Sequence, residues 1–407
     1  MTEPPSIEEF VEEAESYLAA HYPRVRRDEQ RAGFVWGEGS DEVKVFQQPD
    51  PKVEAEELPK IRAWRKGLWE AGLGWLTGPP EYGGRGLPGS YQQAFERIVR
   101  EYQVPGDSPL TISLGMIAPT ILRHGSEDQK RHYLPKMYSG ELIACQLFSE
   151  RGAGSDLASL STQAVRTDDG EWRITGQKVW TGGAHLADIG EIICSTAERP
   201  RHRNLTAFLL DMRASGVSVR PLRQMTGGAT FNEVLFDDVP VPDSARLDEE
   251  GKGWQVALTT LAHERDSMGA SQFGGVGIMS TERLGELVRQ TGKAQDPAVR
   301  RAFGELMVAL RAARYTQQVM GARAKAGDTP GPEVALNKIA LAANFAHLAR
   351  FVADVLGPKI VADTEEWGTF AWNSVVLGAP GYRLGGGTDE ILKNMIAQRV
   401  LGLPRAE

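Results

Sequence analysis

The sequence predicts an α+β protein of three domains in the order helical, β, helical, and three observations carry that reading. Apolar residues recur at helical spacing in the first third, as in Ile7, Phe10, Val11, Ala14 and Leu18. From about residue 142 the pattern changes to short β-prone runs bounded by turn residues. Gly251-Lys252-Gly253 then opens a pattern that is helical to the end. The expected domains are 1–141, 142–247 and 248–407, and 407 residues suffice for two or three packed domains.

In order, residues 6–21 are expected to form an amphipathic helix, and 22–54 a long loop with one short strand around Val43–Phe46. Helical patterns follow over roughly 55–71, 89–102, 109–125 and 126–138, punctuated as at Gly78-Pro79-Pro80. The middle section offers strand runs at Trp172–Ile174, Glu191–Ser195, Thr206–Leu210, Val217–Val219 and Val234–Phe236. Asp168-Asp169-Gly170 is a hairpin-turn candidate, and the spacing fits a compact antiparallel barrel or sandwich. In the last section, breaks are expected near Gly327–Pro332 and Gly378–Gly387.

A formal net charge of −8 and an isoelectric point of 5.6 argue against a nucleic-acid binder, which needs a basic footprint. Cys145 and Cys194 are the only cysteines, which suits a reducing compartment. The N-terminus MTEPPSIEEF is acidic where a signal peptide is basic and then apolar, and no apolar run was expected to reach membrane-span length. The expectation is a soluble, cytoplasmic protein without a membrane span. Gly274-Gly275-Val276-Gly277 lacks the nicotinamide fingerprint spacing, and the seven histidines show no paired ligand spacing, so no metal is expected. No G-x-S-x-G elbow supports Ser-His-Asp catalysis.

The stretch 145–182 carries the densest chemistry. Gly152-Ala153-Gly154-Ser155-Asp156 is a run where backbone N–H groups approach a ligand with little side chain in the way. It follows the β-prone run Cys145–Phe148 and precedes strand patterns ending in Trp180-Thr181-Gly182, so two strand ends form a slot for a flat polar ring. The plainer reading of GAGSD alone is a pair of surface turns. Further on, Ala257, Leu261, Glu264 and Met268 lie at spacings of four, three and four, which puts a carboxyl group on an apolar stripe. A desolvated carboxylate with a raised pKa suits proton abstraction; the alternative is a structural ion pair with a nearby arginine such as Arg265.

The run LFSERGAGSDL, with GQKVWTGGAHLAD about two dozen residues on, resembles the flavin-domain signature of the acyl-CoA dehydrogenase family. Pro80-Glu81-Tyr82-Gly83-Gly84-Arg85-Gly86 resembles the family's loop ahead of its central helices, and Asn232–Val239 the close of its β-domain. Gly386-Gly387-Thr388-Asp389-Glu390-Ile391, then Ile396–Arg399 and Leu401–Pro404, resembles its C-terminal end. These landmarks fall in family order from about residue 70. The resemblance implies a four-helix-bundle-like C-terminal domain, bound FAD, and oxidation of an acyl-CoA thioester between its α and β carbons. In many members the base immediately precedes the Gly-Thr of the C-terminal motif, where this chain has Gly386. A second branch places it on the first helix after the β-domain, directly before an arginine, and Leu261-Ala262-His263-Glu264-Arg265 resembles that arrangement. Glu264 is therefore the expected base.

By the same resemblance, Ser149 stands beside the isoalloxazine edge with Gln146 and Phe148 in neighbouring contact positions. Trp180 packs against the ring, Thr181 follows it, and Gly182 stands where a threonine or serine is common. Ser155 matches a residue near the cofactor phosphates and the acyl-CoA chain. Thr388 and Glu390 lie near FAD, Gly387 lines the thioester site, and Arg265 touches CoA. Thr388 is also placed to cap the helix that follows. Arg300-Arg301-Ala302-Phe303-Gly304 has the letters of a family motif that reaches FAD across a subunit interface, but falls too far along the chain. The closing IAQRVLGLPR and the glycine at Gly386 resemble members from bacterial lipid or steroid side-chain degradation, some of them mixed tetramers. The partners implied are acyl-CoA, an electron-transfer flavoprotein or similar acceptor, and a homodimer, homotetramer or heterotetramer. Two other readings remain open: a non-catalytic partner subunit, and a flavin oxidase or monooxygenase on the same fold.

Overall fold

The fold is that of a computed structural model, which describes residues 4–25, 35–43, 45, 51–197, 200–271, 278–325 and 331–405; the side chains of 266–271 and 324–325 lie outside that description. The backbone divides into two compact units. The first comprises Met1–Arg31, Gln48–Leu222 and Ala229–His263; the second comprises Ala32–Gln47, Arg223–Gly228 and Glu264–Glu407.

The first unit opens with helix α1 (Ile7–His21), started by a capping box: the Glu9 amide donates to the Ser6 hydroxyl at 3.1 Å and the Ser6 amide donates back to the Glu9 carboxylate at 2.7 Å. Its buried stripe of Phe10, Ala14 and Leu18 is the one read from the sequence. Helix α2 (Pro51–Glu70) begins inside the expected 22–54 loop, because a proline is well placed in the first turn of a helix. The strand expected around Val43–Phe46 lies partly outside the described residues, and Val43 and Val45 are buried without strand structure. Helices α3 (Gly89–Val99), α4 (Ala118–His124) and α5 (Glu127–Tyr138) follow. The single helix expected over 109–125 is instead a short 3-10 turn, a wide π turn over Ser113–Ile117 and then α4. Pro119 has no N–H to return to the preceding turn, which favours that local widening.

Among the described residues the sheet of this unit has eight strands: β1 (Ala144–Leu147), β2 (Gln163–Arg166), β3 (Trp172–Gly182), β4 (Ile189–Ser195), β5 (Leu205–Asp211), β6 (Val217–Leu222), β7 (Phe231–Val241) and β8 (Arg246–Leu247). They lie in the order β6-β7-β3-β2-β4-β5-β8, with β1 beside β4. The expected antiparallel sheet holds for most neighbours, and Asp168-Asp169-Gly170 turns between β2 and β3 with Gly170 at φ 88°. The exception is that β1 runs parallel to β4, Ala144 facing Ile189 through Leu147 facing Ile192, and β2 meets β4 in parallel at one pair. The long connection between β1 and β4 permits a crossover that a hairpin does not.

Helix α6 (Gly253–Ser271) begins in the first unit and ends in the second. A Cβ on Gly253 would stand 2.7 Å from the Thr206 backbone, so only glycine lets the helix start lie this close to β5. Val256 and Ala257 join the core under the sheet.

The second unit holds α7 (Thr281–Gln290), α8 (Pro297–Lys325), α9 (Ala335–Leu356), α10 (Asn373–Leu384) and α11 (Asp389–Arg399). Helices α7 to α10 share a core that includes Leu284, Leu287, Leu306, Phe345, Phe351 and Val375, with Trp372 just before α10. The break expected near Gly378–Gly387 falls at its far end: α10 runs through Gly378 and Pro380, and the chain breaks at Gly385–Gly387, where Gly386 has φ 68° and Gly387 φ 89°. Residues 326–330 of the other expected break lie outside the described residues. One stretch, Pro332–Ile360, is long and apolar enough to cross a membrane by length and composition, which corrects the expectation that no run approaches that length. Half of its most apolar window is buried, and its inward residues Leu341, Phe345, Leu348 and Val352 are core of the helical unit, so its apolar length is weak evidence for a span.

Candidate functional site

The slot read from the sequence is built where β1 ends and β3 changes register. β3 pairs with β7 from Lys178 facing Val234 to Thr181 facing Asn232. Three steps on one strand therefore match two on the other, and the extra residue makes a bulge. Trp180 sits in it at φ 60°, a left-handed conformation that side chains other than glycine rarely adopt. The bulge turns its ring outward, 56% exposed, with Phe231 at its edge (centroids 5.8 Å apart, planes at 78°).

Beside it, Phe148 is buried, while Gln146 and Ser149 are half-buried, and the Val179 amide donates to the Ser149 carbonyl at 2.8 Å. Sequence reasoning missed the pair that joins these elements. Lys178 is fully buried; its ammonium donates to the Phe148 carbonyl at 3.0 Å and to the Glu150 carboxylate at 2.9 Å. Glu150 also accepts from the Thr162 amide at 3.0 Å, and from the amide and hydroxyl of Ser161 at 2.6 and 2.7 Å. Burial pulls the Glu150 carboxyl upward, but Lys178 and these donors outweigh it and hold it at about 2. The one available signal was a lysine at an inward position of a strand otherwise lined by apolar residues.

Residues 146, 148, 149 and 180–182 all lie in the first unit, and Ser155 lies exposed in the following turn. This wall fits a flat cofactor such as FAD. The Trp180 face is open, a Cβ at Gly152, Gly154 or Gly183 would meet nothing within 4 Å, and the Thr181 hydroxyl is buried with no hydrogen-bond partner among the described residues. A Cβ at Gly182 would stand 3.2 Å from Ile112 Cδ1 and 3.9 Å from the Phe231 ring, so the Ile112 side chain must give by a few tenths of an ångström to admit one.

A second buried carboxyl group lies nearby in the sheet. Glu191 on β4 is fully buried, its register partner on β1 is Gln146, and the Thr260 hydroxyl of α6 lies 2.7 and 3.0 Å from its two oxygens. Burial raises its pKa to about 8. His124 ties α4 to the start of α6, with one ring nitrogen 2.8 Å from Asp248 and the other 2.8 Å from Thr259. Thr259 also donates to the Gln255 carbonyl at 3.2 Å, so this His-Asp-Thr arrangement is a tie between helices rather than an activated nucleophile.

In the second unit, Glu264 and Arg265 are half-buried on α6, and the Met268 side chain of the expected stripe lies outside the described residues. Leu261, one turn before and in the first unit, is packed against that unit's apolar core. Thr388 caps α11, accepting from the Ile391 amide at 3.3 Å, as expected. Glu390 is exposed, whereas Asp389 is buried and paired with Arg383 at 2.9 Å and Lys338 at 3.5 Å. Lys338, itself buried, donates to the Gly387 carbonyl at 2.6 Å and so fixes the glycine loop. Arg300–Gly304 lies within α8, where Phe303 packs on Phe351 with centroids 5.8 Å apart. Among the described residues no cluster of three metal-ligating side chains occurs.

Models of the N-terminal, middle and C-terminal domains of acyl-CoA dehydrogenase match residues 42–141, 145–239 and 251–401. Acyl-CoA dehydrogenase IpdE1 of Mycobacterium tuberculosis is 36% identical over 360 residues, which span 87% of this chain and 91% of the relative. Mitochondrial isovaleryl-CoA dehydrogenase of Arabidopsis thaliana is 30% identical, covering 58% of this chain and 59% of its own. Among solved structures, the Tcur3481-Tcur3483 steroid ACAD is similar with a TM-score of 0.73 and 27% identity, over 99% of each chain.

Proposed function

This chain belongs to the acyl-CoA dehydrogenase family, FAD-dependent oxidoreductases of acyl-CoA thioesters, and from that premise we propose that Glu264 is the base that removes the α-proton. FAD, when bound, supplies the acceptor for the β-hydride at N5. Trp180 offers its open ring face to the flavin, with Gln146, Phe148, Ser149, Thr181 and Gly182 along the same wall. By the family resemblance, Ser155 is assigned to the cofactor phosphates and acyl chain, Arg265 to CoA, Gly387 to the thioester, and Thr388 and Glu390 to the flavin. We keep the three-way division at 141/142 and 247/248.

The observation that carries the base assignment is Gly386. It has no side chain, and its φ of 68° is one in which a glutamate would be strained, so the family's other position offers no base here. Glu264, on the first helix after the sheet and directly before Arg265, is the remaining carboxylate with the family's spacing. A half-buried carboxylate is exposed enough to meet substrate and loses its remaining water when an acyl chain covers it.

The substrate side is read from the relatives: a lipid or steroid side-chain acyl-CoA, in keeping with the similar steroid ACAD. That structure is named for two proteins, which supports a heteromeric assembly over a homomeric one for this chain. An electron-transfer flavoprotein as acceptor and a cytoplasmic location complete the proposal. The test is flavin absorbance during anaerobic addition of straight, branched and steroid-side-chain acyl-CoAs, with Glu264→Gln alongside. Bleaching by the wild type that falls by about a hundredfold or more in rate in the Gln variant, with FAD retained, supports the base. Equal rates in both refute it. No bleaching by either, with FAD bound, turns the reading to a partner subunit, and rapid peroxide formation in air turns it to an oxidase.

A further inference from the structure

Lys178 is among the largest fully buried side chains of the chain, and lysine is rarely buried unless it is fully paired. Its partners are not spread at random. With the Phe148 carbonyl at 3.0 Å, Glu150 at 2.9 Å and the adjacent Val179 amide on the Ser149 carbonyl at 2.8 Å, the three consecutive residues after β1 are tied to one point of β3. Glu150 carries the tie on to Ser161 and Thr162 through backbone amides at 2.6 and 3.0 Å. Lys178 is also the last residue of β3 in register before the bulge, and two residues on stands Trp180 at φ 60°. A left-handed tryptophan persists only where its surroundings over-determine it. An apolar pair of similar volume would pack in the same space, but would supply no donor to the Phe148 carbonyl.

We propose that the buried Lys178–Glu150 pair is a positioning device: it clamps the Phe148–Ser149 edge to the strand that carries Trp180 and holds the tryptophan with its ring face open. This rests on the reading of residues 146–155 and 180–182 as the flavin wall. Lys178 and Glu150 touch no substrate in this account; they act through Phe148 and Trp180. The flavin therefore loses affinity and its spectral signature when the clamp is neutralised, even where the fold survives.

The test compares the purified flavoprotein with Lys178→Met/Glu150→Gln, in which neither charge is left buried alone, reading far-UV dichroism, FAD retained on dilution and the visible spectrum of bound flavin. The expected result is a folded protein whose FAD dissociation constant rises at least about tenfold and whose flavin band is altered. A folded double variant with wild-type affinity and spectrum overturns the proposal. Should the double variant fail to fold, Glu150→Gln alone decides by the same readouts: a lowered melting temperature with unchanged affinity and spectrum means a purely structural pair and overturns it. Trp180→Ala separates the two levels. If that variant keeps wild-type affinity and spectrum, the wall reading falls; if it loses them while the double variant does not, only the clamp falls.

Discussion

Replacing Glu191 by glutamine offers the sharpest quantitative check of the electrostatics. The carboxyl group is fully buried on β4 with the Thr260 hydroxyl against it, and burial lifts it from 4.5 to about 8. The folded protein therefore holds a neutral acid where the unfolded chain holds a carboxylate. A raised folded-state pKa gives a contribution fully present below the unfolded value, about pH 4.5, and lost as pH rises through about 8. Each pH unit within that window is worth about 1.4 kcal/mol, so the wild type loses about 3 kcal/mol from this group between pH 5 and pH 7. Glutamine is neutral at every pH and similar in shape. Glu191→Gln should thus match the wild type within about 1 kcal/mol at pH 5 and exceed it progressively toward pH 8. Urea unfolding at half-unit pH steps measures this as the difference between the two midpoints multiplied by the slope. Parallel curves for the two proteins across pH 5–8 would refute the neutral-acid reasoning, and a gap that opens toward low pH would reverse it.

Gly182→Thr drives a side chain against Ile112 Cδ1, 3.2 Å from the position of the new Cβ, and should cost about 1–3 kcal/mol by thermal melting, with partial recovery on adding Ile112→Ala. Trp180→Gly relieves a left-handed backbone conformation worth about 1–3 kcal/mol but removes the open ring, so the apoprotein should melt no lower than wild type while FAD is lost on dilution. Lys338→Met strips the buried Asp389 of one partner and the Gly387 carbonyl of its donor, and should cost about 3–5 kcal/mol. Adding Asp389→Asn to that variant should recover part of the loss, and a double-mutant cycle of melting temperatures reads the coupling.

What the sequence determined by itself is local or ordered along the chain. The stripe of α1, the turn at Asp168-Asp169-Gly170 and the cap at Thr388 depend on residues a few positions apart and were legible from spacing. The changes of periodicity marked the helical, β and helical order, and the family landmarks, with Gly386 where many members have a glutamate, were legible by resemblance. The tertiary structure decided what depends on partners far along the chain. Lys178 finds Glu150 across 28 residues, Glu191 meets Thr260 across 69, and Lys338 reaches Gly387 across 49. Alternation along β3 puts Lys178 on the inward face, but which carbonyl and which carboxylate it meets there depends on residues far along the chain. The outward turn of Trp180 is of the same kind: one extra residue on β3 against β7 reverses its face, and a mismatch in register belongs to two strands at once.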